Sequence, residues 1–180
     1  MPTTTANAST VTVRSPDKPK NDAPLRVTSS SFTEGGDIPL DFVFTGCGGK
    51  NKSPQLAWSG APEGTKSYAI TCFDPDAPTG SGFWHWVAFD IPGNVTSIDS
   101  SDGKDAPKGG KSATSDYGMT GYGGPCPPKG DGKHRYIFTV YALDVDKVDG
   151  AGDKAHGATL IFMMRGHVLA TGKLEAKFGH

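Results

Sequence analysis

At 180 residues the chain has room for one full-sized domain and too little for two comfortable ones. Hydrophobic residues make up only 35%, and Gly (25) and Pro (14) run above average usage without reaching low complexity, which suits an all-β domain with long surface loops. The formal charge of −1, from 18 basic and 19 acidic residues, supplies no field for gripping nucleic acid or an anionic membrane surface, so any bound anion needs a local site.

Residues 1–24 carry four prolines and no apolar periodicity, and such a composition reads as a flexible tail ahead of one domain over residues 25–180. Residues 41–45 read as a short strand, and Leu56-Ala57-Trp58 is apolar again. Residues 66–73 (KSYAITCF) and 84–91 (WHWVAFDI) are rich in β-branched and aromatic residues and stop at Asp74-Pro75 and Pro92-Gly93. Between Asp99 and Gly132 no pattern is sustained, and an irregular stretch of that length inside a domain points to functional loops. Residues 135–143 (RYIFTVYAL) form a third strong strand. Residues 153–165 predict a helix closed by Gly166, with Ala158, Leu160, Ile161, Met163 and Met164 on one side. Ala170, Gly172, Leu174, Ala176 and Phe178 then alternate with polar neighbours, which predicts a half-buried strand. The fold class is mostly β, with one helix near the C-terminus.

Three cysteines, Cys47, Cys72 and Cys126, without a CxxC pair fit neither a disulfide framework nor a structural zinc site. One disulfide plus one free thiol stays open, but reduced thiols are the expectation. No apolar stretch near the start has the length of a signal peptide, and the longest apolar run, Leu160 to Met164, is far short of the ~20 residues of a membrane span. The expectation is a soluble cytoplasmic protein without stable membrane insertion.

Five features carry potential chemistry. The first is Asp74-Pro75-Asp76-Ala77-Pro78, which alone reads as a tight turn. His85 lies in an apolar strand close behind it. Gly132-Lys133-His134-Arg135-Tyr136 enters the third strand, with His134 and Tyr136 on one face and Arg135 on the other. Gly123-Gly124-Pro125-Cys126-Pro127-Pro128 is a stiff loop just before it, and Cys126 within it is a potential nucleophile. Two His and an Asp suggest an open metal triad, but no His-x-Asp or His-Glu-x-x-His spacing accompanies them. A Cys126/His hydrolase has no signature around the cysteine.

In their order and spacing these motifs resemble the phosphatidylethanolamine-binding protein family. The bacterial and archaeal branch, often labelled Raf kinase inhibitor-like, is similar in Asn51-x-Ser53-Pro54-x-Leu56-x-Trp58, Gly124-Pro125-Cys126-Pro127-Pro128 and Gly166-His167-Val168-Leu169-Ala170. The resemblance runs from about Leu25 to Phe178. It implies a large antiparallel sheet packed on a smaller one, helices at the edge, and a pocket for phosphate-like or carboxylate anions, including phospholipid headgroups. By motif position the pocket residues are Asp74, His85, Pro127 and Tyr136, with Asp76 and His134 beside them and a backbone N–H donated at Cys126. A cis bond at Ala77-Pro78 and a homodimer are also implied. Partner-binding segments of the plant and animal members have no match here, so kinase inhibition does not transfer. The alternative function is inhibition of a protease or kinase through the loops between Asp99 and Gly132. No activated nucleophile is evident, so binding without catalysis and without a cofactor is expected. With two Asp beside an anion, compensation is expected from His85 as imidazolium, Tyr136 and loop N–H groups.

Overall fold

The chain forms β1 (Arg26–Thr28), β2 (Leu56–Ser59), β3 (Ser67–Asp74), β4 (Phe83–Pro92), β5 (Ser97–Ile98), β6 (Lys111–Ser112), β7 (His134–Leu143), α1 (Gly157–Met164) and β8 (Val168–Phe178). The structure, a computed structural model, describes residues 24–104, 106–152 and 154–180. All but the last residue of the expected tail thus lies outside the described residues, as does Asp153 at the expected start of the helix. Two antiparallel sheets result, of order β1-β2-β5 and β6-β4-β3-β7-β8. The mostly-β class with a large and a small sheet is therefore as expected.

The three strong apolar runs are the three central strands of the large sheet, and both faces of that sheet are covered. Tyr68, Ile70, Trp86, Phe138, Val140 and Leu174 pack toward the small sheet against Val27, Leu56, Trp58 and Ile98. On the opposite face, Ala69, Val87, Phe89 and Leu143 pack with Val148 and with Leu160 and Met164 of α1. Burial on both sides explains why β3 and β4 read as nearly continuous apolar runs, whereas β8 near the edge keeps its alternation. The first strand approaches β8 so closely that a Cβ on Gly172 would lie 2.3 Å from the Leu25 carbonyl oxygen. Leu25 is buried, and its N–H bonds the Thr171 carbonyl at 3.0 Å.

Three local expectations need correction. Residues 41–45 are not a strand but parts of two 3-10 turns, Leu40–Phe42 and Thr45–Cys47; the run is too short to recruit a partner strand. The helix begins at Gly157, because Thr114 and Ala155 pair through their backbones and hold the preceding residues extended. Its buried positions are Gly157, Leu160 and Met164, while Phe162 points to solvent at 70% exposure. No cis peptide bond occurs among the described residues, so Ala77-Pro78 is trans. Among the described residues no helix is long and apolar enough to cross a membrane.

Candidate functional site

Because β3 pairs with both β4 and β7, the chain brings Asp74, His85, His134 and Tyr136 to one end of the sheet. Asp74 is the last residue of β3 and is 2% exposed. Its Oδ1 accepts the N–H groups of Asp76 (2.8 Å) and Ala77 (3.1 Å), the Asx turn that an Asp/Pro sequence favours. Its Oδ2 lies 2.8 Å from His134 Nδ1, which donates to it. Asp74 thus accepts three hydrogen bonds before any ligand arrives. His134 Nε2 lies 3.8 Å from Asp131 Oδ2.

Period two places His134 and Tyr136 inward and Arg135 outward on β7, as expected. That outward turn decides the fate of Asp76. The Arg135 guanidinium donates to both its oxygens, Nη2 to Oδ1 at 2.7 Å and Nε to Oδ2 at 2.9 Å, and the Arg135 N–H adds a third bond at 2.9 Å. These hydrogen bonds hold the Asp76 carboxyl at about 2, well below the usual range. Asp76 is therefore neutralised outside the pocket and does not line it, a correction to the expected two-carboxylate site.

The loop after β6 closes the other side. Gly123 and Gly124 pass where no side chain fits: a Cβ on Gly123 would sit 2.3 Å from the Tyr117 ring, and one on Gly124 2.2 Å from the Phe42 carbonyl oxygen. Asn51, at φ 53° in the left-handed region that Asn tolerates, clamps this loop. It accepts the Gly124 N–H on Oδ1 at 2.7 Å and donates from Nδ2 to the Tyr122 carbonyl at 2.9 Å. Tyr117 donates its hydroxyl to the Gly124 carbonyl at 2.9 Å and stacks on Phe44 with ring centroids 4.4 Å apart. A disulfide between Cys126 and Cys47, with Cα atoms 5.5 Å apart, ties the loop to the second 3-10 turn. That bond overturns the expectation of reduced thiols; Cys72 alone is free, buried between the sheets.

These elements enclose a cavity of about 240 Å³. Asp74, His85, His134 and Tyr136 line it with Cys126, Pro127 and Pro128 of the loop, Ala77, Pro78 and Thr79 of the turn, and Phe83 and Tyr117. Six of the seven expected site residues are thus brought together, Asp76 being the exception. Sequence reasoning missed Phe83 and Tyr117. Phe83 was visible only as an apolar residue beside the His85 strand, and Tyr117 lies in a stretch without periodicity. Phe83 contacts the His85 ring at 4.9 Å, and Trp84 packs on Phe73 at 4.5 Å.

The polar inventory is unusual for an anion site. Among the described residues no Lys or Arg lines the cavity, and no group of three or more His, Cys, Asp or Glu side chains is placed to hold a metal. The Cys126 N–H donates to no group among the described residues. The Tyr136 hydroxyl is buried without a partner, and burial, reinforced by Asp74, pushes its pKa well above the usual phenol value, so it stays a neutral donor. His85, 3% exposed, has Nδ1 2.8 Å from the Gly123 carbonyl oxygen. Burial lowers its pKa and outweighs the Gly123 and Gly124 carbonyls, Asp74 and Asp116, which act in the opposite sense. That shift works against the imidazolium expected of His85.

A sheet sandwich with a small pocket at the end of its central strands is a ligand-binding architecture, and here it has a family. The profile described as phosphatidylethanolamine-binding protein matches residues 28–179, and the chain belongs to that family. Its relatives include the Escherichia coli proteins YbcL, 44% identical over 158 residues (84% of this chain and 86% of YbcL), and YbhB, 43% identical over 159 residues (86% and 99%). The crystal structure of YbcL superposes with a TM-score of 0.83 at 41% identity, covering 88% of this chain and 99% of that one. A phosphatidylethanolamine-binding protein homologue from Chlamydia trachomatis, CT736, gives 0.76 at 30% identity, covering 87% and 98%.

Proposed function

We propose that the protein binds a small phosphate-like or carboxylate anion in this cavity and performs no chemistry on it. The observation that carries the reading is a cavity lined by Cys126, whose N–H donates to no described group, and by Tyr136, whose hydroxyl is buried without a partner, while its acid, Asp74, already accepts three hydrogen bonds. A buried donor without a partner is costly, by about 1–3 kcal/mol, and a ligand oxygen relieves that cost. Binding without catalysis is supported by two side chains of the lining: the Cys126 sulfur is bonded to Cys47, and the Thr79 hydroxyl donates to the Gly82 carbonyl.

Calorimetric titration with inorganic phosphate, methyl phosphate, phosphoethanolamine and acetate tests this. Saturable heat is expected with at least one phosphate compound, and its loss in Tyr136→Phe ties it to the pocket. No saturable heat from any of the four at millimolar concentration would refute the reading. The same disulfide bears on location. Bonded cysteines persist where surroundings are oxidising, against the cytoplasmic expectation, and non-reducing mass spectrometry of protein from separated cell fractions decides between the two.

A further inference from the structure

The Cys47–Cys126 disulfide joins two half-buried cysteines, and one of its sulfurs has a polar neighbour. His180 Nε2 lies 3.5 Å from the Cys47 sulfur. A disulfide sulfur has no hydrogen to give, so the ring nitrogen is the donor of that bond. Packing holds the ring there. Phe178, at the end of β8, packs with Cys47 against the same core, and the His180 ring stands nearly perpendicular to it with centroids 5.8 Å apart. Between the two, Gly179 passes the Gly132 carbonyl oxygen so closely that a Cβ would lie 2.6 Å from it. Among the described residues no hydrogen bond reaches the Cys126 sulfur, so the two sulfurs differ. The bond can also open without the loop departing. Phe44 N–H donates to the Pro125 carbonyl at 3.1 Å, one residue from Cys126, and Asn51 holds Gly124. Cys72, fully buried with its thiol pushed up by burial, is out of reach of solvent thiols.

We propose that Cys47–Cys126 is a thiol–disulfide exchange site for small thiols of the glutathione class, in which the thiolate attacks the Cys126 sulfur and Cys47 leaves as a thiolate stabilised by His180. The inference goes beyond the anion-binding reading and does not depend on it. In the first step a bond forms between the incoming sulfur and Cys126 Sγ. The S–S bond breaks, and its electron pair passes to Cys47 Sγ, which accepts the His180 Nε2–H. A second thiolate then attacks the incoming sulfur of the mixed disulfide and releases Cys126, which takes a proton from water. Two small thiols are oxidised to their disulfide, and the protein disulfide is reduced to two thiols. His180 sets the direction, because a hydrogen bond from an imidazole favours the thiolate and a thiol that ionises more readily leaves faster. The effect expected on the rate of opening is roughly three- to tenfold. Because the other ties keep the two sulfurs close, Cys47 attacks the mixed disulfide in turn, expels the small thiolate and recloses the bond when free thiol is withdrawn.

The experiment treats the oxidised full-length protein with millimolar glutathione under native conditions, followed by acid quenching, alkylation and peptide mass spectrometry. Opening should be first order in glutathione, with the trapped glutathione on Cys126 and the alkyl group on Cys47. The position of that adduct in wild type needs no variant. His180→Ala, checked for unchanged urea stability in the oxidised state, should open about three- to tenfold more slowly and spread glutathione over both cysteines. A role of His180 in packing alone would not move that partition. Wild-type adduct freed of excess glutathione should reclose its disulfide and release one glutathione per chain. Glutathione mainly on Cys47, a rate and partition unchanged in His180→Ala, or an adduct that does not reclose would each overturn the proposal. So would opening at a rate independent of glutathione, the behaviour of a bond released only by unfolding. Failure of the anion titrations leaves these outcomes untouched, so the two readings fail separately.

Discussion

Replacing both Cys47 and Cys126 by Ser separates the disulfide's contribution to stability from its contribution to the pocket. The bond closes a sequence separation of 79 residues. In the chain-entropy account, a loop of that size restricts the unfolded chain by about 15 cal/mol/K, or roughly 4–5 kcal/mol at 25 °C, of which typical disulfides deliver about 2–4. For a domain of this size such a loss lowers the melting temperature by about 5–15 °C. The pocket should suffer much less, because the loop keeps four other ties. These are Gly124 N–H to Asn51, Tyr117 hydroxyl to the Gly124 carbonyl, Gly123 N–H to the His85 carbonyl at 2.9 Å, and Phe44 N–H to the Pro125 carbonyl at 3.1 Å. Anion affinity, read by the calorimetry above, should change by no more than a few-fold, since a serine at position 126 keeps the backbone N–H. Urea unfolding of wild type, reduced wild type and the double variant measures the stability arm, and the last two should coincide. A double variant within about 0.5 kcal/mol of oxidised wild type would refute the entropic argument. Complete loss of binding in a folded variant would refute the claim that the four ties hold the loop.

Two further outcomes follow from the hydrogen-bond pattern and one from the family resemblance. His134→Ala strips Asp74 Oδ2 of its donor in a buried site, so it should destabilise the fold by about 1–3 kcal/mol in urea unfolding; no measurable loss would mean that water replaces the imidazole freely. Asp76→Asn should lower the melting temperature at pH 7 yet leave anion affinity within twofold, since Asp76 faces Arg135 and not the pocket. The Asp76 carboxyl has a folded pKa of about 2, below its unfolded value, so its contribution is present above about pH 4 and lost as pH falls through 2; the gap between wild type and variant should therefore close in acid, and a gap that widens there would contradict the sign. Light scattering at tens of micromolar should give twice the chain mass if the protein dimerises as its resemblance implies, and the mass of one chain would end that expectation.

The sheet was legible because burial on both faces writes itself into composition: residues 66–73, 84–91 and 135–143 match β3, β4 and β7 to within a residue at each end. The terminal strand was legible from its alternation. What escaped depends on contacts distant in sequence. The Cys47–Cys126 bond joins residues 79 apart in sequence, and nothing local distinguishes it from two free thiols. Asp76 looked like a pocket residue because it follows Asp74 by two, but the Asx turn at Asp74 ends the strand and sends Asp76 to the Arg135 side. The direction of the His85 shift escaped for a related reason. Neighbouring acids are visible in a sequence, whereas desolvation and a bond to the Gly123 carbonyl are not. Tyr117 is held by one stack and one hydrogen bond in a stretch without period, and no sequence signal marks it.

The pocket's electrostatics follow from the way the fold spends its charges. With a net charge of −1 the protein has no long-range field to recruit an anion, and among the described residues the pocket contains no Lys or Arg to hold one. The acids that would repel an anion are instead disarmed one at a time: Asp76 by a bidentate guanidinium outside, Asp74 by an imidazole and two backbone N–H groups within. Among the described residues the lining then keeps the buried Tyr136 hydroxyl and the His85 ring, with Cys126 of the loop beside them. Hydrogen-bonding groups of this kind reward only a partner at the right distance and angle. Glycine enters the argument for the same reason. Gly123 and Gly124 let the loop backbone lie against Tyr117 and Phe42, where no side chain fits. The specificity of the site is thus built into the backbone path, which the Asn51 clamp, the Tyr117 stack and the disulfide hold in common.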